Sequence, residues 1–235
     1  AVAYADALIA ATSGSQKRLQ DFYHKPIYMI NETGCRVIEK VDKSFDFSET
    51  MNLLWVGKLD FRKQLHIAVK VIGKLKDLKV VLHVCGGGTN SQIDAMNKLA
   101  RQLGISDKLN YHGVVTHEEI KKMMRECDLL LFTSIAEGTP HVVQEAIANH
   151  LPVVCHDTCG QGDCVDDSIG CKIPLSNPLQ SVEEMSDTIR NLYHDRTKLI
   201  KMSNNCFAAS KRMSWDRKVQ EMIKIYEKCL EGSVR

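Results

Sequence analysis

The chain has 235 residues, of which 44% are hydrophobic, 26% charged and 6% aromatic. This length and composition are typical of a globular chain of one to two domains with a substantial apolar core. A formal net charge of +2 argues against a nucleic-acid partner, which usually requires a concentrated basic face, and no apolar run approaches the roughly 20 residues of a transmembrane helix.

The first fifty residues divide into a short structured unit and a polar connector. Apolar residues 7–11 predict a strand, residues 15–23 a helix, and the segment after Pro26 a second strand. Residues 31–50 carry no stable periodicity. We therefore predict a strand–helix–strand unit over 1–30, followed by a linker over 31–50.

From residue 51 onward, short apolar runs alternate with segments of helical periodicity. The predicted strands are 52–56, 79–85, 109–112, 129–133 and 152–156, and the predicted helices are 66–76, 91–103, 117–126 and 141–149. Strands that are apolar throughout are buried on both faces, which is typical of parallel sheets covered by crossover helices. The predicted fold class is α/β, a doubly wound, Rossmann-like parallel sheet with a helical C-terminal tail.

Two capping boxes mark predicted helix starts, Thr116 with Glu119 and Ser181 with Glu184. The last 50 residues show helical periodicity only. Two apolar helix faces are predicted between residues 182 and 230: Val182, Met185, Ile189 and Leu192; and Val219, Met222, Ile223, Tyr226 and Leu230.

Doubly wound sheets bind ligands in the loops at the carboxyl ends of their strands. The first such loop, GKLDFRKQ at residues 57–64, begins with a turn-forming glycine and carries three cations. Lys58, Arg62 and Lys63 in this position suit a polyphosphate. A solvated basic loop is the alternative.

The second loop, CGGGTN at residues 85–90, lets a backbone approach a ligand closely and offers N–H groups to an anion. Gly86 and Gly88 begin a dinucleotide-binding pattern, but Ser91 replaces its third glycine, and the next strand lacks an acidic residue for a ribose. A nicotinamide cofactor is therefore disfavoured, and a tight packing turn remains the alternative.

The third loop, within residues 133–157, carries Glu137 and Gly138 ahead of a helix that begins near Pro140. The N–H groups and dipole of a helix N-terminus form an anion site. Glu137 and Glu145, eight positions apart, are suitable acceptors for sugar hydroxyls. Glu145 could instead be a helix-surface charge, although its neighbours are apolar.

The fourth loop, DTCGQGDCVDDSIG at residues 157–170, is glycine-rich and acidic. We interpret it as a ligand-adjacent loop, and a purely structural turn fits it equally well. Its aspartates lack the spacing of a calcium loop, and the neighbouring cysteines at 155, 159, 164 and 171 lack the C-x2-C spacing that structural zinc sites favour. We expect no metal site and reduced thiols.

Together these loops resemble those of a known family. EGTPHVVQEAIANHLPVV resembles its EGxPxxxxEAxAxGxPVV pattern, with His150 where Gly is usual. GKLDFRKQ resembles its GRLxxxKG, with Lys58 replacing Arg and Gln64 replacing Gly. VLHVCGGG, LNYHGVV and SWDRKVQEMIKIYEKCL follow in matching order. Nearly the whole chain thus resembles the C-terminal, nucleotide-sugar-binding half of retaining glycosyltransferases of the family 4 (group 1) type, which have the GT-B fold.

The resemblance implies transfer of a sugar, with retention, from a UDP- or GDP-sugar to an acceptor hydroxyl, without a metal ion or other cofactor. Lys58 and Lys63 would stabilise the negative charge on the leaving diphosphate. Glu137 would orient the donor sugar, and Glu145 would accept both ribose hydroxyls. The other implied donor-binding residues are Gly57, Gly86, Gly87, Val114, Val115, Gly138, Thr139, Pro140 and His141.

The resemblance also divides the chain. Residues 1–30 would be the end of an N-terminal acceptor domain, 31–50 an interdomain linker, 51–213 the donor-binding domain and 214–235 a C-terminal helix. Since the rest of the acceptor domain is missing, we expect a fragment of a larger enzyme that binds the donor and transfers little by itself.

The expected acceptor is a carbohydrate or a lipid-linked sugar, bound by the missing domain. This predicts a cytoplasmic enzyme of polysaccharide or glycolipid biosynthesis, at most peripheral at the inner face of the membrane. Two alternatives remain: a non-catalytic nucleotide-sugar-binding module, and a related GT-B epimerase or phosphorylase.

Overall fold

A computed structural model describes residues 2–38 and 50–233 of the chain. It begins with a small parallel sheet built from β1 (Leu8–Ala10), α1 (Ser13–Gln20) and β2 (Ile27–Met29), which confirms the predicted strand–helix–strand order. Ser13 holds α1 against the larger domain, because its backbone N–H and its hydroxyl donate to Asp163 at 2.8 and 2.5 Å. Most of the predicted linker over 31–50 lies outside the described residues.

The main sheet has six parallel strands in the spatial order β5–β4–β3–β6–β7–β8. They are β3 (Met51–Val56), β4 (Val80–Cys85), β5 (Leu109–Gly113), β6 (Leu129–Phe132), β7 (Val153–Asp157) and β8 (Gly170–Pro174). The order reverses between β3 and β6, which pair through Leu53 with Leu129. A crevice at the carboxyl ends of these two strands is the place where doubly wound sheets bind ligands.

Helices cover both faces of the sheet. They are α2 (Leu65–Lys74), α3 (Asn90–Leu103), α4 (His117–Glu126), α5 (His141–Ala148), α6 (Cys159–Cys164), α7 (Pro178–His194) and α8 (Arg196–Arg212); a further helix, α9 (Trp215–Ser233), follows them in the chain. One buried cluster packs α2, α3 and α7 against the sheet, and a second packs α4, α5 and α6 against the other face. The predicted α/β class is confirmed.

Burial explains why the strands read as unbroken apolar runs. All four residues of β6 are buried, because helices contact the sheet on both sides. The predicted apolar face of α7 is buried as well, from Val182 to Leu192. Helix packing against a buried sheet therefore accounts for most of the hydrophobic core.

The Ser181–Glu184 capping box is wrong. Helix α7 begins four residues earlier, where Asn177 accepts hydrogen bonds from the N–H groups of Leu179 and Gln180 and Pro178 occupies the first turn. Ser181 is buried inside the helix. The Thr116–Glu119 box, in contrast, is present in both directions at the start of α4.

The segment 157–170 is more regular than the sequence predicts. It forms α6 and leads directly into β8, an edge strand that the sequence analysis missed. A Cβ atom at Gly160 would lie 2.2 Å from the carbonyl oxygen of Gly138, and one at Gly170 would lie 2.2 Å from that of Val153. The glycines therefore permit close backbone packing here.

The predicted apolar face of α9 exists but is largely exposed. Val219, Ile223, Tyr226 and Leu230 are 53%, 48%, 60% and 69% exposed. The helix contacts the segment after β2, since the Lys218 ammonium donates to the Asn31 carbonyl oxygen at 2.9 Å, and Ile225 is its buried apolar residue.

Candidate functional site

The loop after β3 carries the predicted phosphate-binding cations. The Asp60 carboxylate accepts from the Lys63 N–H at 3.0 Å and caps a single 3-10 turn, Phe61–Lys63. Gln64 then adopts a φ of 53°, in the left-handed region that glycine occupies most easily. Gln64 is one of the two positions where the family pattern has Gly, and His150, with φ 60°, is the other. The backbone at both sites requires the conformation that the pattern's glycines provide.

Lys63 and Glu137 form a nearly buried ion pair. The Lys63 ammonium lies 2.6 Å from Glu137 Oε1, and the two side chains are 13% and 9% exposed. The Ser134 hydroxyl, 2.7 Å away, donates to the same carboxylate oxygen. Arg62 approaches the other oxygen at 3.8 Å. Cations from the loop after β3 thus meet the carboxylate from the loop after β6 at the switch point of the sheet.

A cavity of about 360 Å³ opens at the ends of β3, β4 and β5. It brings together six of the predicted donor-site residues: Gly57, Lys58, Gly86, Gly87, Val114 and Val115. Cys85 lies on the same wall, and burial raises its pKa to about 11, which keeps the thiol neutral at pH 7. The cavity is predominantly apolar and of a size that suits a flat ring.

Gly86 determines how closely the cavity walls approach each other. Its φ is +145°, and a Cβ there would lie 1.7 Å from the Gly57 carbonyl oxygen. The Gly57 N–H in turn donates to the Cys85 carbonyl oxygen at 3.0 Å. No other residue fits this position without moving the loop after β3.

The N-terminus of α5 contains the predicted residues Gly138, Thr139, Pro140 and His141. Pro140 is the N-cap residue, just outside the first turn. A Cβ on Gly138 would meet nothing within 4 Å, so the loop is open at that point. The Thr139 hydroxyl donates to Glu32 Oε1 at 2.8 Å, which places a carboxylate of the N-terminal segment beside this loop.

Glu145 lies on α5 near the other end of the site. Its Oε1 is 3.3 Å from His117 Nε2, at the start of α4. The loop preceding α4 carries Val114 and Val115, so His117 connects Glu145 to the rim of the cavity. The Glu145 side chain is 31% exposed, which leaves its carboxylate accessible.

Buried polar groups support the loop after β6 from below. The Ser134 carbonyl oxygen accepts from Gln161 Nε2 at 3.1 Å and lies 3.3 Å from His156 Nδ1. His156 Nε2 is 3.0 Å from the Ser181 hydroxyl. Burial lowers the pKa of His156, although its bond to Ser134 acts in the opposite direction. A neutral imidazole with a proton on Nδ1 satisfies both contacts.

The sequence analysis missed Glu32, His117 and Ser134 as neighbours of the site. Ser134 stands beside the recognised Glu137 segment and could have been found from it. Glu32 is 107 positions from Thr139, its partner, so no local pattern could associate them.

The cysteines expected to be reduced are separate thiols. Cys155, Cys159, Cys164 and Cys171 form no disulfide, and burial raises the pKa of Cys155 to about 12. Over residues 2–38 and 50–233, no cluster of three His, Cys, Asp or Glu side chains has an arrangement that could hold a metal ion.

A known protein family matches most of the chain. The sequence profile described as "Glycosyl transferases group 1" matches residues 38–213. The chain belongs to this family. Among the relatives of this chain, a D-inositol 3-phosphate glycosyltransferase of Streptomyces bingchenggensis is 24% identical over 189 residues, covering 76% of the chain and 41% of the relative. The chain thus spans less than half of that protein.

Solved structures share the fold. The pneumococcal O-GlcNAc transferase GtfA, crystallised with UDP and GlcNAc, has a TM-score of 0.78 at 17% identity and covers 97% of this chain and 46% of its own. The lipopolysaccharide outer core galactosyltransferase WaaB has a TM-score of 0.82 at 16% identity, with 97% and 63% coverage. The group 1 domain is therefore a parallel α/β sheet of the GT-B type. In the part of the chain that the structure describes, no helix has the length and apolar character of a membrane span.

Proposed function

We propose that this chain is the C-terminal, donor-binding part of a retaining glycosyltransferase of the family 4 type. It would transfer a sugar from a UDP- or GDP-sugar to an acceptor hydroxyl. The observation that carries the proposal is the Lys63–Glu137 pair, 2.6 Å apart, which joins the loop after β3 to the loop before α5. A cation for a diphosphate and a carboxylate for sugar hydroxyls are thereby adjacent, at the reversal point of the sheet.

In the proposed reaction, negative charge grows on the diphosphate as the glycosidic bond breaks. Lys63 would stabilise that charge, together with Lys58 on the cavity wall and the backbone N–H groups of Gly138 and Thr139. We propose that they take the place of a metal ion.

The remaining residues would bind the rest of the donor. The base would enter the cavity between Gly86 and Val115, and Glu145 would accept from the ribose hydroxyls. Glu137 would accept from hydroxyls of the donor sugar and so orient its anomeric carbon. The UDP in the pneumococcal O-GlcNAc transferase structure supports a uracil nucleotide as the first donor to test.

We propose that residues 1–30 complete a sheet of an N-terminal acceptor domain, and that residues 31–50 link it to the donor domain over 51–213. Two strands of three residues each are too few for independent stability. Ile9 and Met29, on β1 and β2, are each 42% exposed. Helix α9, within 214–235, also has an exposed apolar face and contacts this segment where Lys218 donates to the Asn31 carbonyl oxygen. Both surfaces fit a domain supplied by a longer protein.

Because the acceptor would bind in that domain, this chain alone should transfer little sugar. The proposed setting is polysaccharide or glycolipid synthesis at the cytoplasmic side of a membrane, with the sugar passed to a carbohydrate or lipid-linked acceptor.

The test is thermal protection of the 235-residue chain by UDP, GDP and their sugars. We expect saturable protection by at least one of them, and none by inorganic phosphate at the same concentration. A chain stabilised by no nucleoside diphosphate would overturn the proposal. In the longer protein, product analysis should show a glycoside with the anomeric configuration of the donor; free epimerised sugar or dependence on phosphate would indicate an epimerase or a phosphorylase.

A further inference from the structure

We propose that Thr133 is a positioning residue for Lys63, acting through the main chain of the loop after β3. Thr133 follows the last residue of β6 and is completely buried. Its hydroxyl lies 2.8 Å from the Lys63 carbonyl oxygen and 3.0 Å from the indole Nε1 of Trp55. The proposal rests on the proposed role of Lys63 at the diphosphate.

The chemistry of the three groups gives this chain of hydrogen bonds one direction. An indole N–H can only donate, and a carbonyl oxygen can only accept. Thr133 therefore accepts from Trp55 and donates its single hydrogen to Lys63, or to the Gln64 carbonyl oxygen at 3.2 Å. Trp55 is 2% exposed within β3, so this series of hydrogen bonds begins at a buried strand.

Separate contacts hold the backbone just before the Lys63 carbonyl group, and Thr133 holds that carbonyl group itself. The Ile135 N–H holds the Arg62 carbonyl oxygen at 3.1 Å, and Asp60 holds the Lys63 N–H. The next residue, Gln64, has the left-handed φ of 53°, which a residue with a side chain adopts only when its surroundings impose it. Without the Thr133 hydroxyl, the loop can relax at the Lys63–Gln64 junction.

The side chain of Lys63 has little freedom beyond that backbone position. Its Cγ and Cδ atoms lie 3.2 Å from the position that a Cβ atom on Gly57 would occupy. Its ammonium lies 5.2 Å from the centroid of the Phe132 ring. A shift of the Lys63 backbone would therefore move the ammonium relative to Glu137 and to a bound diphosphate.

Calorimetric titration of the 235-residue chain with UDP, GDP and the corresponding nucleosides tests the proposal. Thr133→Val keeps the shape and removes the hydroxyl, whereas Thr133→Ser keeps the hydroxyl. We expect Thr133→Val to weaken diphosphate binding about five- to tenfold, with the affinity for nucleoside unchanged, and Thr133→Ser to remain within about twofold of wild type. In a Lys63→Met background, Thr133→Val should cause no further loss.

A second readout needs no nucleotide. The ε-methylene NMR signal of Lys63, assigned by its loss in Lys63→Met, should move toward the position of exposed lysines in Thr133→Val and not in Thr133→Ser. Trp55→Phe, which removes the indole donor and keeps an aromatic ring, should shift it in the same direction and serves if Thr133→Val does not fold.

An unchanged Lys63 signal would overturn the proposal, as would equal losses of nucleoside and diphosphate affinity in Thr133→Val. If the wild-type chain binds no nucleotide, the proposed function fails, and the lysine signal alone decides whether Thr133 positions Lys63.

Discussion

The Lys63 ammonium and Glu137 Oε1 lie 2.6 Å apart, so the two side chains assigned to the diphosphate and to the donor sugar pair with each other. A diphosphate that binds Lys63 must either displace this carboxylate from the ammonium group or share the ammonium group with it. The pair is nearly buried, and its charges are therefore less screened by solvent than those of surface pairs.

This competition predicts opposite effects of removing each partner. Lys63→Met should weaken nucleoside diphosphate binding by about 1.5–3 kcal/mol, the value of a charged hydrogen bond. Glu137→Gln should leave binding equal or tighter, because it removes a carboxylate that competes for Lys63. Calorimetry measures both, and Lys74→Met, which alters an exposed pair with Glu183, is the matched control. Weaker diphosphate binding in Glu137→Gln would contradict the competition.

Glu145 can be tested through the ribose itself. Glu145→Ala should weaken nucleoside diphosphate binding by about 1–3 kcal/mol through loss of hydroxyl contacts. With the 2′,3′-dideoxy nucleotide the same substitution should have almost no effect, since the hydroxyls are absent. Glu183→Ala, on the surface of α7, controls for loss of a carboxylate elsewhere. Equal losses with both nucleotides would remove Glu145 from the ribose site.

The glycines of the site should differ sharply in their tolerance of alanine. Gly86→Ala would place a methyl group 1.7 Å from the Gly57 carbonyl oxygen and should destabilise the fold by about 3 kcal/mol or more. Gly138→Ala meets open space and should change stability by less than about 1 kcal/mol. Urea unfolding of both variants provides the comparison; similar losses would argue against the close approach at Gly86.

The start of α7 can be tested by two single substitutions. Asn177→Ala removes the side chain that accepts from two N–H groups and should cost about 1 kcal/mol. Glu184→Ala, at the position of the wrongly predicted box, should stay within about 0.5 kcal/mol of wild type. Chemical denaturation measures the unfolding free energy of both variants. A larger loss of stability in Glu184→Ala than in Asn177→Ala would support the Ser181–Glu184 capping box instead.

Acidification should destabilise the chain partly through His156. Burial lowers the pKa of this imidazole below its ordinary value of 6.5, so on acidification the unfolded chain takes up the proton first. The neutral His156 side chain therefore makes its full contribution to the unfolding free energy above about pH 6.5, and this contribution declines at lower pH. The unfolding free energy should fall between pH 7 and pH 5, and fall less in His156→Gln. His66 and His83 have lowered pKa values for the same reason and add to the remaining slope. A slope unaltered by His156→Gln would contradict this account.

Local pattern was sufficient for most of the fold. The strands of the main sheet up to β7 and helices α2 to α5 lie within two residues of their predicted bounds, because unbroken apolar runs and helical periodicity directly reflect burial. Edge strand β8 was not predicted, because GCKIP follows a glycine-rich segment whose burial depends on contacts with Val153 and Gly138.

The candidate site was predictable as a set of loops, since the carboxyl ends of parallel strands converge. Residue types and their order in the chain indicated Lys63, Glu137 and the glycines. Tertiary contact decided that Lys63 pairs with Glu137, that Thr133 links Trp55 to the basic loop, and that Glu32 reaches Thr139. These contacts join segments roughly 70 to 107 positions apart, and no periodicity along a chain encodes which side chains a folded sheet brings within hydrogen-bonding distance.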